Sequence, residues 1–111
     1  MDAIRRDVLA GDLNSNRIFD RRHLPRNHTT LVARLAGLGL FSAYHEHFGE
    51  AQGAETRPTQ FQYRHQHRPF HLDYVFLPNE WRPRLQAVEV GLPALWLAHS
   101  DHMPVVIDVD T

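Results

Sequence analysis

The sequence contains no cysteine, no long apolar run and little net charge, and each absence narrows what the protein can be. Without cysteine there is no disulfide and no thiolate metal site, so a metal would need carboxylate, amide or imidazole ligands. No apolar run approaches the roughly 18 residues of a membrane span, and residues 1–7 lack the apolar core of a secretory signal. These features predict a cytoplasmic protein without a membrane span.

The net charge of −1 hides a gradient along the chain. Residues 1–34 carry seven arginines and four acids, whereas residues 71–111 carry two arginines and six acids. Positive charge near the start would favour an anionic substrate, but a solvated loop explains it equally well, because nucleic-acid-binding proteins usually show a stronger basic excess. The arginines that follow the first motif described below are Arg17, Arg21, Arg22 and Arg26.

At 111 residues and 42% hydrophobic composition, the chain can form at most one domain with a modest core. One helix is predicted after a cap at Asn27 or Thr29, ending at Gly37 or Gly39. Residues 45–58 are predicted to be a loop, and residues 78–84 a loop or a single helical turn. The predicted strands are 8–10, 40–44, 59–65, 71–76, 86–90 and 105–107.

A first motif, Gly11-Asp12-Leu13-Asn14, follows the predicted buried strand at residues 8–10. In a nearly extended segment Asp12 and Asn14 can project to the same side, since they are two residues apart. A carboxylate can orient or deprotonate water, and an amide can donate to a phosphoryl oxygen. Asp and Asn are also ordinary turn residues after glycine, so the motif alone does not establish a site.

Two later stretches have matching chemistry. In residues 71–76, His-Leu-Asp-Tyr-Val-Phe, alternation places Asp73 on one face of a strand, and an acid there needs a partner. In residues 100–104, Ser-Asp-His-Met-Pro, His102 can bind or protonate a phosphoryl oxygen if a carboxylate holds its ring. We therefore expect Asp73 to lie about 2.6 to 3.2 Å from a ring nitrogen of His102, with Asp12 nearby.

With these three motifs in this order, the chain resembles the endonuclease/exonuclease/phosphatase superfamily, which includes the deoxyribonuclease-I-like and exonuclease-III-like enzymes. The resemblance implies a phosphoesterase that uses Mg²⁺ or Mn²⁺ and attacks a phosphate ester directly with water. It implies catalytic roles for Asp12, Asn14, Asp73 and His102, metal binding by Asp101, and substrate binding by His71 and Asn16. Nucleic acid is one candidate substrate beside nucleotides, inositol phosphates and lipid head groups.

The main departure from this family is that its amino-terminal half, with a principal metal-ligand Glu, has no counterpart before Gly11. Residues 1–111 are accordingly expected to form a partial domain, the carboxyl-terminal half of a four-layer α/β sandwich with mostly antiparallel strands and one long helix. An uncovered sheet would expose Val8, Ala10, Tyr74 or Val106 and favour self-association. The alternative is a truncated, inactive domain that serves as a binding or structural module.

Histidine pairs and aromatic residues offer weaker signals. His45 and His47, like His65 and His67, would share a strand face and could bind zinc, but exposed histidines are common and we do not expect zinc sites there. The aromatic face of the strand predicted at residues 59–65 is expected to pack in the core. If Phe61 or Tyr63 were exposed instead, it could stack on a base.

Overall fold

Short antiparallel strands and a few helices form the part of the chain that the computed structural model describes, residues 7–21 and 27–110. The strands are β1 (Leu9–Asp12), β2 (Leu40–Ser42), β3 (Gln60–Phe61), β4 (Pro69–Phe70), β5 (Asp73–Pro78), β6 (Leu85–Val90) and β7 (Val105–Val109). The α-helices are α1 (His28–Gly37), α2 (Ala43–Phe48) and α3 (Pro93–Trp96), and 3₁₀ turns cover Arg17–Phe19, Gln62–Arg64 and Asn79–Arg84. The result is a compact mixed α/β domain with antiparallel sheets.

Strand β5 is the centre of the largest sheet, with β1 on one side and β2 on the other, both antiparallel to it. The pairs β3–β4 and β6–β7 form two further antiparallel ladders. As predicted, Tyr74 and Phe76 share one face of β5 and Asp73 lies on the other; the structure shows that the first face is buried and that Asp73 is only partly buried. Because Asp73 is the first residue of β5, its carboxylate lies at the end of the sheet, where it is partly accessible to solvent.

Helix α1 agrees with its predicted boundaries. The Asn27 side chain accepts a hydrogen bond from the Thr30 amide at 2.9 Å, which satisfies one of the free amides at the helix start. At the other end, Gly39 adopts φ 83°, a left-handed conformation that glycine allows without strain. Leu35 on the inner face of α1 packs in a buried cluster with Tyr74 and Phe76.

A second buried cluster joins α2 to the strands, around Phe41, Tyr44, Leu77 and Val88. The strand predicted over residues 40–44 ends at Ser42, and α2 then runs to Phe48, so the prediction of a loop from residue 45 is wrong at its beginning. The apolar run at residues 40–44 is short enough to belong either to a strand or to the start of a helix. Only its first three residues pair with β5, and the tertiary packing of Tyr44 decides the remainder.

Two other sequence predictions are wrong. The strand predicted at residues 59–65 is reduced to β3, because Tyr63 and Arg64 have φ values of 54° and 60° and turn the chain back toward β4. The strand predicted to be buried at residues 8–10 is exposed: every residue of β1 is exposed, and Val8 and Leu9 are 49% and 38% exposed. β1 is also an edge strand of its sheet.

Exposure of sheet residues follows the prediction only in part. Val8, Ala10 and Val106 are exposed, whereas Tyr74 is 1% exposed because its ring packs in the α1 cluster. Within the described ranges, no helix is both long enough and apolar enough to cross a membrane.

Candidate functional site

Two carboxylates meet at the end of the central sheet. Asp12 is the last residue of β1 and Asp73 is the first of β5, and the two are direct partners in the antiparallel ladder. Directly opposed residues of such a ladder project to the same face. Two like charges in this position repel each other, so the pair is unfavourable unless a proton, a cation or a donor lies between them.

His102 supplies that donor. Its Nδ1–H donates to Asp73 Oδ2 at 2.9 Å, so the hydrogen bond predicted from the sequence is present. The other ring nitrogen, Nε2, lies 3.7 Å from Asp12 Oδ2. Partial burial by itself would lower the pKa of His102, but the hydrogen bond to Asp73 and the neighbouring carboxylate charges raise this pKa above its ordinary value.

The backbone around His102 is fixed by short local contacts. Ser100 Oγ accepts a hydrogen bond from the His102 amide at 3.0 Å, which explains the serine that begins this motif. Gln60 of β3 forms an isolated antiparallel bridge with His102, and Met103 beside it is 2% exposed. The histidine is therefore held by a turn on one side and by the buried core on the other.

Asn14 lies next to Asp12, but not in the way that the spacing predicted. β1 ends at Asp12 and Asn14 adopts φ 47°, so the segment is not extended and the argument from alternating side chains does not apply. Instead, the backbone N–H of Asn14 donates to Asp12 Oδ1 at 2.7 Å. This contact orients the Asp12 carboxylate, with its second oxygen toward His102.

Asp12, Asp73 and His102 can each offer one ligand atom within 4.8 Å of the others, and this is the one such group found among the described residues. Two carboxylates with an imidazole suit Mg²⁺ or Mn²⁺, which prefer oxygen donors, and Mn²⁺ also accepts a ring nitrogen. Nδ1 of His102 is engaged by Asp73, so Nε2 is its one free ring nitrogen, open to a cation or to proton donation but not to both at once. The donor set therefore fits the metals that the resemblance implies.

Asp101, the predicted metal ligand, adjoins this group without being part of it. Its backbone carbonyl accepts a hydrogen bond from the Phe61 amide at 2.8 Å. Its charge contributes to the raised pKa of His102. Asp101 thus adds negative potential beside the three converging side chains, and its metal-binding role stays a prediction.

The two predicted substrate-binding residues are buried elsewhere. The Asn16 side chain donates to the His71 carbonyl, to Tyr74 Oη and to Glu55 Oε1, and accepts from the Ile18 amide. His71 is 5% exposed, and its Nδ1–H donates to the Arg57 carbonyl at 2.9 Å. Their contacts are those of side chains that hold loops together, and their role in substrate binding stays a prediction.

A buried polar network around Glu55 was missed in the sequence. Glu55 Oε2 accepts from His45 Nε2 at 2.6 Å and from the Gly53 amide at 3.1 Å. Since Nε2 carries the proton, His45 Nδ1 accepts from the Ser42 hydroxyl at 2.6 Å. Burial opposes the Glu55 charge, but these donors lower its pKa to about 2. The network connects α2 to the loop that contains Asn16.

The remaining candidates are dispersed. His45 and His47 lie on helix α2 rather than on a strand, and His65 and His67 lie on an exposed turn with ring centroids 5.1 Å apart. Phe61 is buried, whereas Tyr63 is 73% exposed on that turn. Of the predicted basic group, Arg17 and Arg21 are exposed, while Arg22 and Arg26 lie outside the described residues.

Comparison with known proteins gives no family assignment. No protein-family model matches the chain, and a search of curated proteins found no match either. A function for this protein must therefore be argued from the three motifs and from the convergence of Asp12, Asp73 and His102.

Proposed function

We propose that the protein is a metal-dependent phosphoesterase, a phosphodiesterase, nuclease or phosphatase, that hydrolyses its substrate by direct attack of water. The observation that carries the proposal is the opposed Asp12 and Asp73 pair with His102 hydrogen-bonded to Asp73. Opposed carboxylates cost stability in a strand ladder, and a bound cation, to which a phosphate can in turn bind, would relieve their repulsion. With this function we propose that the chain forms the carboxyl-terminal half of a four-layer α/β sandwich. We also propose that the protein is cytoplasmic.

Each residue has a distinct part in the proposed reaction. Asp12 aligns the attacking water and accepts its proton, and the water oxygen bonds to phosphorus while the bond from phosphorus to the ester oxygen breaks. His102 donates through Nε2 to a phosphoryl oxygen or to the leaving oxygen, and Asp73 fixes the ring and favours its protonated form. Asn14 holds the Asp12 carboxylate in place through its backbone N–H.

Asp12 and Asp73 would hold Mg²⁺ or Mn²⁺, with Asp101 beside them. A divalent cation bound there would neutralise charge that develops on the phosphoryl oxygens. The distance of 3.7 Å between Asp12 Oδ2 and His102 Nε2 exceeds a hydrogen bond, so both groups can reach a common bound oxygen.

The alternative, an inactive binding or structural module, is favoured by one observation. Other acids that could complete a metal site are engaged elsewhere: Glu46 pairs with Arg82, and Glu50 accepts from Tyr44 and the Thr56 hydroxyl. A site with so few ligands binds a cation weakly. We therefore expect very low or absent turnover from the 111 residues alone.

Paramagnetic Mn²⁺ provides a test that does not depend on turnover. Added Mn²⁺ should broaden the amide signals of Asp12, Asp73 and His102 before those of Glu46 and Glu50, and Asp12→Asn should abolish this selectivity. Hydrolysis of bis(4-nitrophenyl) phosphate at high protein concentration, with Mg²⁺ or Mn²⁺, should be slow and lost in Asp12→Asn and His102→Ala. Broadening centred elsewhere, or hydrolysis unaffected by both substitutions, would refute the proposal.

A further inference from the structure

We infer that Thr59 is the positioning residue that brings Asp73 and His102 together. These two residues are 29 positions apart in the chain, yet their side chains form a 2.9 Å hydrogen bond. Thr59 contacts the backbone on both sides of that pair. The inference deepens the proposed function and rests on it for its catalytic meaning.

The side chain of Thr59 holds the Asp73 side of the pair. Its Oγ1 accepts hydrogen bonds from the Leu72 amide at 2.9 Å and from the Asp73 amide at 3.0 Å. Thr59 is completely buried, so water cannot replace the hydroxyl at these amides. A buried amide that loses its acceptor is costly, and the backbone shifts to find another. The position of Asp73 at the start of β5 is therefore fixed by the Thr59 hydroxyl together with the ladder to β1.

The main chain of Thr59 holds the His102 side. Its carbonyl accepts from the Met103 amide at 2.7 Å, and the next residue, Gln60, is bridged to His102. Its amide donates to the Phe70 carbonyl at 2.9 Å, which ties the same residue to β4. One buried residue thus fixes both segments, and its hydroxyl sets how far apart they lie.

The same arrangement separates a positioning role from general stabilisation. A core residue such as Val88 also supports the fold, but it packs with Phe41 and Leu77 and takes no part in the hydrogen bonds of Thr59. Loss of volume there should weaken the whole domain evenly. Loss of the Thr59 acceptor should instead move Asp73 relative to His102 in protein that remains folded.

The test follows the His102 Nδ1–H proton by NMR in protein labelled with ¹⁵N at the histidine rings, at one fixed pH. Its signal is assigned by its loss in His102→Gln. Thr59→Val keeps the shape and removes the acceptor, so we expect this signal to shift or broaden and amide exchange at Leu72 and Asp73 to accelerate at least about tenfold. Thr59→Ser keeps an acceptor oxygen and should preserve both. Val88→Ala should lower the melting temperature without moving the signal.

The slow hydrolysis that the wild type shows with Mg²⁺ at high protein concentration provides a second readout, and the NMR result decides the inference where turnover is absent. Thr59→Val should lower kcat roughly 10- to 100-fold with little change in KM, and Thr59→Ser should restore most of it, because misplacement of a catalytic group affects mainly the chemical step. If Thr59→Val does not fold, Thr59→Cys replaces it, since sulfur is a weak acceptor. Its His102 signal should be shifted while that of Thr59→Ser is not.

The outcomes distinguish this inference from the proposed function. A folded Thr59→Val or Thr59→Cys protein with an unshifted His102 signal and unchanged exchange at Asp73 would overturn the positioning role. Absence of hydrolysis and of Mn²⁺ binding in the wild-type protein would instead count against the phosphoesterase, while the NMR result would still decide what Thr59 does.

Discussion

Asp12 and Asp73 stand directly opposite each other at the end of the β1–β5 ladder, two carboxylates where a stable sheet would favour a neutral or oppositely charged pair. His102 contacts Asp73 at 2.9 Å and approaches Asp12 at 3.7 Å, so its ring moderates the repulsion when it is protonated. The arrangement resembles a site whose stability has been reduced in favour of ligand binding.

Asp12→Asn should therefore leave the fold at least as stable as the wild type when no divalent cation is present. We expect the free energy of unfolding to stay the same or to rise by up to about 0.5 kcal/mol, measured by urea denaturation with EDTA at about pH 8.5, where His102 is less protonated. Asp108→Asn, at an exposed position of β7, is the control for loss of a carboxylate outside the site. A clear loss of stability in Asp12→Asn alone would show that Asp12 is a structural residue.

The raised pKa of His102 predicts how stability depends on pH. The folded protein binds this proton more tightly than the unfolded chain, so the contribution is fully present below the ordinary value of 6.5 and is lost as pH rises through the folded value. The difference in unfolding free energy between wild type and His102→Gln should thus shrink from about pH 6 to about pH 9. In Asp73→Asn, NMR titration should show the pKa of His102 falling. An unchanged value would exclude Asp73 as its main partner.

Glu55 predicts a loss of stability at the acid end. Its folded pKa of about 2 lies below the ordinary 4.5, so its contribution is present above pH 4.5 and is lost as pH falls toward 2. At neutral pH the contribution is up to about 3 kcal/mol, and Glu55→Gln should remove most of it. Stability of the variant should then vary less between about pH 5 and pH 2 than that of the wild type. Glu80→Gln, exposed before β6, should behave like the wild type.

Local patterns were sufficient to predict where Asp73 and His102 lie on their strands. Alternation along residues 71–76 places Asp73 apart from Tyr74 and Phe76, and the Ser-Asp-His turn places His102 at the entrance to β7. Both signals depend on near neighbours in sequence. The end of α1 was predictable for the same reason, since its cap and its terminal glycine act within one helical turn.

Apart from the Asp73–His102 pair, features that depend on distant contacts were not predictable. The partners of Glu55 lie 10 and 39 residues away, at His45 and Asn16, and its loop has no periodic pattern. The exposure of β1 depends on whether another element covers its face, which residues 8–10 do not reveal. Asn14 was placed correctly beside Asp12 but by a wrong argument, because a left-handed backbone conformation rather than an extended one brings its amide there.

Tyr63 offers a test of whether the substrate is a nucleic acid. Its ring is 73% exposed on the turn after β3, the strand whose Gln60 is bridged to His102. If a base stacks on it, Tyr63→Ala should weaken binding of a fluorescent single-stranded oligonucleotide about tenfold in anisotropy titrations. Tyr63→Phe keeps the ring and should bind like the wild type. Equal affinity of the alanine variant would remove Tyr63 from the binding surface.

The exposed apolar side chains predict self-association. Leu92, Leu95 and Trp96 around α3 and Val106 on β7 are between 43% and 70% exposed, and all four line an apolar groove of about 600 Å³. Monomeric proteins rarely expose contiguous apolar patches larger than a few hundred Å². We therefore expect concentration-dependent association in sedimentation velocity and binding of a hydrophobic dye. Replacing Leu95 and Val106 together by Glu should reduce both. Leu38→Glu changes an exposed apolar residue at the end of α1, outside the groove, and should reduce neither. A wild-type protein that is monomeric, binds no dye and melts cooperatively would show that these faces are stable in water.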